Sequence, residues 1–114
     1  VKVQWTAMGE GCTDLNTFIA EWKRLCPTLP MQLEIISGFA KEFPYLEQNF
    51  WPPYSTFLAK DFSRFLSLNK EGSPINPFVV PTGKEKNLAQ QEYQLDQLER
   101  SISYCKKELL LGRQ

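Results

Sequence analysis

Apolar positions recur along this chain at helical spacing, and the longest such pattern runs from residue 82 to residue 112. Within it, apolar side chains return every seven residues, and a second set follows three residues after the first. This is the a and d pattern of a coiled coil. The first set is Leu88, Leu95, Ile102 and Leu109, and the second is Gln91, Leu98 and Cys105. The pattern predicts one long helix with an apolar seam along one side.

Both ends of this predicted helix carry terminating signals. Thr82 followed three residues later by Glu85 matches a capping box, in which two side chains bond the free N–H groups at a helix start. Gly112 follows the last apolar run and suits the left-handed residue that ends many helices. A helix over residues 83–111 would be about 43 Å long, roughly twice the length of any other predicted helix.

Three shorter amphipathic helices are predicted before it. Residues 13–25, 29–43 and 52–68 each place apolar side chains at intervals of three and four residues. The apolar stripes of these helices are expected to face a common core. The side chains that the stripes place there are Trp22, Phe39 and Phe62.

Two segments lack helical spacing. Residues 1–12 are predicted as an N-terminal arm with a short extended stretch, for which no partner strand is evident. Residues 70–81 hold three prolines, which forbid regular helix, so they are predicted as a crossover loop. The predicted fold class is therefore all-α, a small helical bundle of three short helices in 13–69 plus a long C-terminal coiled-coil-like helix, in one domain of residues 1–114.

Charge and residue types argue against most catalytic chemistry. The formal net charge is zero, with both signs mixed along the chain, which disfavours broad binding to nucleic acid or to an anionic membrane. The chain has no histidine, the usual general base and the commonest metal ligand. Glu34, Glu42 and Glu47 have no spacing that would gather them around a cation. We therefore predict no catalytic, cofactor-binding or metal-binding residues.

Three cysteines do not make a disulfide scaffold. Cys12 and Cys26 flank the first predicted helix, which would hold them about 20 Å apart, whereas a disulfide needs Cα atoms within about 7 Å. We find no signal-peptide pattern in these residues and no apolar run long enough to span a bilayer. These features favour an intracellular protein, cytoplasmic or nuclear.

The crossover loop contains a short peptide motif. Asn76, Pro77 and Phe78 form a tripeptide that is similar to the Asn-Pro-Phe motif recognised by EH domains of endocytic adaptors. Asn-Pro favours a turn, and such a turn presents the phenylalanine to a pocket. The alternative, which we favour, is that Phe78 anchors the loop to the core of its own chain.

Aromatic residues are frequent between Phe39 and Phe65, which raises the hypothesis of a ligand pocket or a stacking platform. A platform for single-stranded nucleic acid also needs interleaved basic residues. Here each basic side chain has an acidic neighbour, so core packing is the prediction for these rings. The basic residues are Lys41, Lys60 and Arg64, and the acidic ones are Glu42, Glu47 and Asp61.

The functional prediction is based on the apolar seam of the long C-terminal helix. We predict a non-catalytic protein interaction or assembly domain that contacts a protein partner through the C-terminal helix, either as a homodimer or within a larger complex. The predicted partner-binding residues are Leu88, Leu95, Leu98, Ile102, Cys105 and Leu109. The residues after the d positions run from Glu92 and Glu99 to Lys106 and Arg113. Since such positions face each other in an antiparallel pair, this order favours an antiparallel homodimer.

Two other classes of function stay open. A helical subunit of a nucleic-acid complex would use the basic residues of the long helix, and its affinity would fall steeply with salt. Those residues are Lys84, Lys86, Lys106 and Lys107. A small enzyme is the class that the sequence supports least, for want of acid, base and metal-binding groups.

Overall fold

The structure, a computed structural model, describes residues 1–36 and 40–112. Helices account for 48% of it and strands for 6%. The elements are β1 (Lys2–Gln4), α1 (Leu15–Leu25), β2 (Ala40–Glu42), two 3-10 turns (Gln48–Phe50 and Pro52–Tyr54), α2 (Ala59–Glu71) and α3 (Lys86–Lys107). The predicted predominance of helix is confirmed, but a two-stranded sheet is also present.

The N-terminal arm has a partner strand, so the expectation of an unpaired arm is wrong. β1 and β2 pair in antiparallel fashion, with Val3 opposite Lys41. Lys2 forms an ion pair of 2.7 Å with Glu42, and the N-terminal ammonium of Val1 donates to a backbone carbonyl 3.1 Å away. These contacts hold the first residues of the chain against a segment about forty positions later.

The helix predicted over 29–43 is wrong in the part that the structure describes. Residues 29–36 have no regular secondary structure, and 40–42 form β2. The helical pattern of residues 29–43 is ambiguous because Ile35 and Ile36 are β-branched, which disfavours helix and favours strand. Pairing with β1 then decides the conformation of 40–42. Phe39, predicted as a core residue of that helix, lies outside the described residues.

α1 matches its prediction closely. It begins after Asp14, whose carboxylate accepts from the Thr17 N–H at 3.0 Å. Hydrogen bonding by Thr17, chiefly from its side chain and then from its N–H, lowers the pKa of Asp14. Ile19 is buried at 3% exposure, and Trp22 is half-buried, so its predicted place in the core is only partly realised. Phe18 is 55% exposed, so much of the apolar stripe of α1 lacks a cover.

α2 begins seven residues later than predicted. The Pro52–Pro53 pair starts a 3-10 turn instead, and extended backbone at Leu58 separates that turn from the helix. Proline is favoured in the first turn of a helix because its φ is fixed near the helical value. A 3-10 turn accommodates the same φ, so the proline pair does not require an α-helix. Phe62, the third predicted core residue, lies on α2 and is half-buried.

The predicted bundle is not confirmed. Within the described residues, backbone proximity between elements is concentrated in β1 and β2, and no helix lies closely along another. The buried apolar residues described are Ala7, Ile19, Ala89 and Leu109. The accessible surface is 9323 Å², whereas a compact monomer of this mass exposes about 6,400 Å². The radius of gyration is 17.5 Å, against about 13 Å for a compact domain of this length.

Candidate interaction surface

α3 is shorter than predicted at both ends. Gly83 takes a left-handed φ of 80°, which places residues 82–84 in a turn and prevents Thr82 from capping. Glu85 caps instead, since its carboxylate accepts from the N–H groups of Asn87 and Leu88 at 2.9 and 2.8 Å. These bonds lower the pKa of Glu85. The helix ends at Lys107 rather than at the predicted Gly112.

One face of α3 is buried within the protein through small and polar side chains, and Ser101 on this face contacts the N-terminal segment. Ser101 is fully buried; its hydroxyl accepts from the Met8 N–H at 3.0 Å and donates to the Gln97 carbonyl at 2.7 Å. Ala89 and Gln97 lie on the same face and are 3% and 2% exposed. Sequence patterning misses this face because hydropathy assigns Gln97 and Ser101 to solvent.

The N-terminal segment fits this face closely. Gly9 lies against the Tyr104 ring in a conformation with φ of 87°. The Cys105 thiol donates to the Met8 sulfur at 3.4 Å, and burial raises the pKa of Cys105. Glu10 forms an ion pair with Arg100. These contacts fix the rotation of α3 about its own axis, and so determine which side of it faces outward.

The outward side of α3 carries an apolar stripe, defined here as Leu88, Leu95 and Ile102. These side chains are 47%, 56% and 41% exposed. At 100° per residue, the stripe is centred about 170° around the helix from the packed face. Three large apolar side chains therefore lie on this side of α3, and Ile102 also borders a cavity lined by Trp22 and Met31 of its own chain.

The other predicted partner-binding residues turn toward the protein itself. Leu98 is half-buried, and Cys105 is half-buried against Met8. Leu109 is 5% exposed, and its carbonyl accepts from the Lys23 ammonium at 3.1 Å. The a positions of the predicted seam are thus exposed from Leu88 to Ile102 and buried at Leu109.

The basic residues of α3 do not form one patch. Lys84 and Lys86 lie at its start and Lys106 and Lys107 at its end, about 30 Å apart along the helix. Lys84 also forms an ion pair with Glu92. This geometry offers nucleic acid two small, separated basic sites rather than a continuous track.

The loop motif lies against α3. The Phe78 ring is 4.4 Å from the Tyr93 ring, measured between centroids, and Phe78 is half-buried. Asn76 and Pro77 are exposed, and the Asn76 carbonyl accepts from the Gln4 amide at 3.4 Å. The contact with Tyr93 supports the predicted role of Phe78 as an anchor.

We expect Phe78→Ala to lower the free energy of unfolding by about 1–3 kcal/mol, because it removes a half-buried ring that contacts the Tyr93 ring. Val79→Ala is the matched control. Val79 is 73% exposed, so its truncation should change stability by no more than about 0.5 kcal/mol. Urea denaturation measures both. Unchanged stability in Phe78→Ala, together with binding of an EH domain through Phe78, would favour the peptide-motif interpretation.

Aromatic side chains between β2 and the middle of α2 form a second surface feature. Trp51 is at its centre, with ring centroids 5.2 Å from Phe50 and 5.3 Å from Phe62. Its indole N–H donates to the Tyr45 carbonyl at 3.0 Å. The predicted mutual packing of these rings is present, but the cluster stays open to solvent, since Tyr54 and Phe57 are 44% and 42% exposed.

Metal-binding and membrane-spanning features are not found in the described part of the chain. No group of three or more His, Cys, Asp or Glu side chains there is placed to hold a metal ion. Cys12, Cys26 and Cys105 are all free thiols. Among residues 1–36 and 40–112, no helix is long and apolar enough to cross a membrane.

Comparison with known proteins gives no further guide to the surface. Protein-family models, curated proteins and solved structures were each compared with this chain, and none matches it. The functional argument therefore starts from the geometry of α3.

Proposed function

We propose that this protein is a non-catalytic interaction and assembly domain, which covers its exposed apolar surface by association through α3. The observation that carries the proposal is the apolar stripe of Leu88, Leu95 and Ile102 on the free side of a helix whose other side is fixed. A row of large apolar side chains in water is unfavourable, and such patches commonly mark protein–protein contacts.

The extent of exposed surface supports the same proposal. The protein exposes about 2,900 Å² more than a compact monomer of its mass. A standard protein–protein interface buries about 800 Å² on each partner. The excess surface is therefore ample for one interface of ordinary size, while the core described is small.

We propose a second copy of the chain, in antiparallel orientation, as the first partner. Glu92 lies beside the first half of the stripe, Glu99 lies beyond its middle, Lys106 follows its end, and all three are exposed. In an antiparallel pair these positions face each other, so the acidic half of one helix meets the basic end of the other. Exposed ion pairs contribute only tenths of a kcal/mol. They select the orientation, and the apolar stripe supplies the affinity.

Sedimentation equilibrium over a wide concentration range tests this proposal. We expect a monomer–dimer equilibrium, and we expect Leu95→Asp and Ile102→Asp each to abolish the dimer, because each places a charge in an apolar contact. Gln94→Asp is the matched control. It adds the same charge one residue away, at an exposed position beside the stripe, where a charge changes the dimer by only about tenths of a kcal/mol, so the dimer should persist.

Two outcomes would contradict the proposal in different ways. A dimer that persists in both stripe variants would place the interface elsewhere. A strict monomer at high micromolar concentration would exclude self-association, and a different protein would then be the partner. Affinity purification with the intact chain and with Leu95→Asp, side by side, would test that case, because an α3 partner must be lost in the variant.

A further inference from the structure

An open cavity lies in the aromatic cluster, away from α3. Its volume is about 180 Å³, and all seven residues that line it are aromatic. They include Phe43, Phe50, Trp51, Tyr54 and Phe57. Among the residues that the structure describes, no polar atom contributes to the exposed wall. For comparison, an apolar cavity of about 150 Å³ accommodates benzene, so there is room for one compact group.

The aromatic rings around the cavity face it from two directions. The Trp51 ring is inclined by 85° to Phe50 and by 71° to Tyr54, while Phe50 and Tyr54 are stacked at 29°. The hydrogen bond from the Trp51 indole to the Tyr45 carbonyl holds the central ring in place. Pro52 and Pro53 restrict the backbone of the turn that carries Tyr54. A tetrahedral group entering the cavity would thus touch rings on more than one side, with little ordering of the protein.

The composition of the wall determines which ligand chemistry it suits. Aromatic ring faces carry negative electrostatic potential and attract cations. A primary ammonium brings three N–H donors, and this wall has no acceptor for them, so burying it there is costly. A quaternary ammonium has a positive charge but no N–H group. Its methyl groups fill an apolar space without leaving a donor unsatisfied.

A cationic side chain lies beside these rings. The Lys41 ammonium lies 5.8 Å from the centroid of the Phe43 ring, which also lines the cavity. This distance is within the range of a cation–π interaction. Lys41 is exposed and stays hydrated, so it occupies the rim rather than the cavity. Its charge would repel a second cation.

We propose that the aromatic cavity binds a small soluble molecule through a trimethylammonium group. The cavity is the size of the head group alone, and its wall offers no polar atom that could hold the backbone of a methylated peptide. None of the lining residues belongs to α3, so this inference does not depend on the proposed assembly function.

Choline and its neutral isostere 3,3-dimethylbutan-1-ol test the proposal, because the two differ only in the charged nitrogen. Nuclear magnetic resonance titration of the intact chain reports binding at the Trp51 indole N–H, assigned separately from Trp5 and Trp22. We expect choline to bind at least about fivefold more tightly than the isostere, as a desolvated cation–π contact implies. We expect Lys41→Gln to increase the affinity for choline.

Tyr54→Leu keeps the bulk of the side chain but removes the ring, and should reduce the preference for choline over the isostere. Phe57→Leu replaces it as the test variant if circular dichroism shows that Tyr54→Leu is unfolded. Phe18→Leu is the control, since Phe18 is an exposed ring on α1 outside the cavity. Equal affinity for the two probes, or an unchanged preference in the cavity variant, overturns the proposal. So does much tighter binding of a trimethyllysine peptide than of choline, which would make the ligand a protein.

Discussion

Gly9→Ala is expected to lower the free energy of unfolding by about 2–4 kcal/mol, which is a large share of the stability of a small domain. Gly9 has a φ of 87°, in the left-handed region where a Cβ atom is strained. A Cβ built there would also overlap the Tyr104 ring, at only 2.7 Å from Cζ. The substitution therefore disturbs the segment that holds α3 in its orientation.

Urea denaturation of Gly9→Ala and of Gly11→Ala measures this effect. Gly11 is the control because a Cβ there would meet the Thr6 hydroxyl at an ordinary 3.5 Å, and its φ is not left-handed. A double-mutant cycle separates the two causes. In a Tyr104→Ala background, Gly9→Ala should cost only the backbone part, about 1–2 kcal/mol. Equal costs in both backgrounds would show that the ring does not limit the site.

Sequence periodicity predicts α1 and α3 well, because both are long amphipathic segments with capping residues nearby. The predicted ends of these two helices are less accurate. The sequence predicts a capping box at Thr82, but Gly83 has a left-handed φ, and the carboxylate of Glu85 is the cap. Local signals of this kind compete within a few residues, and hydropathy does not decide between them.

The region from 29 to 43 shows why the bundle was predicted and is not confirmed. Its apolar residues fit a helical stripe, yet the conformation of 40–42 depends on pairing with β1 at the other end of a long sequence interval. β2 itself is only Ala40–Glu42, too short for an alternating pattern to reveal it. Strand pairing of so few residues across a long sequence interval produces no pattern that can be recognised in a single sequence.

The orientation of α3 could not be predicted for a different reason. An apolar seam usually faces the core, but the face of α3 that packs within the protein carries Ala89, Gln97 and Ser101. At Ser101 this face meets the backbone of the N-terminal segment, which approaches closely over a small side chain and whose Met8 N–H needs a hydrogen-bond partner. The contact depends on geometry and hydrogen bonding, which hydrophobic patterns do not report.

Leu109→Ala and Leu95→Ala are expected to differ sharply, although both leucines occupy a positions of the same predicted heptad pattern. Leu109 is 5% exposed, so its truncation leaves a cavity and should cost about 2–5 kcal/mol. Leu95 is 56% exposed, so in dilute solution its truncation should cost less than about 1 kcal/mol. Urea denaturation at low micromolar protein measures both values.

Repeating these measurements at high protein concentration connects stability with assembly. Association stabilises the folded state by mass action, so the wild type should become more stable as its concentration rises. Leu95→Ala weakens the proposed contact and should lose part of that gain, whereas the gain in Leu109→Ala should match that of the wild type. If Leu95→Ala instead costs as much as Leu109→Ala in dilute solution, then the stripe is covered within its own chain. The contact proposed for α3 would then lose its support.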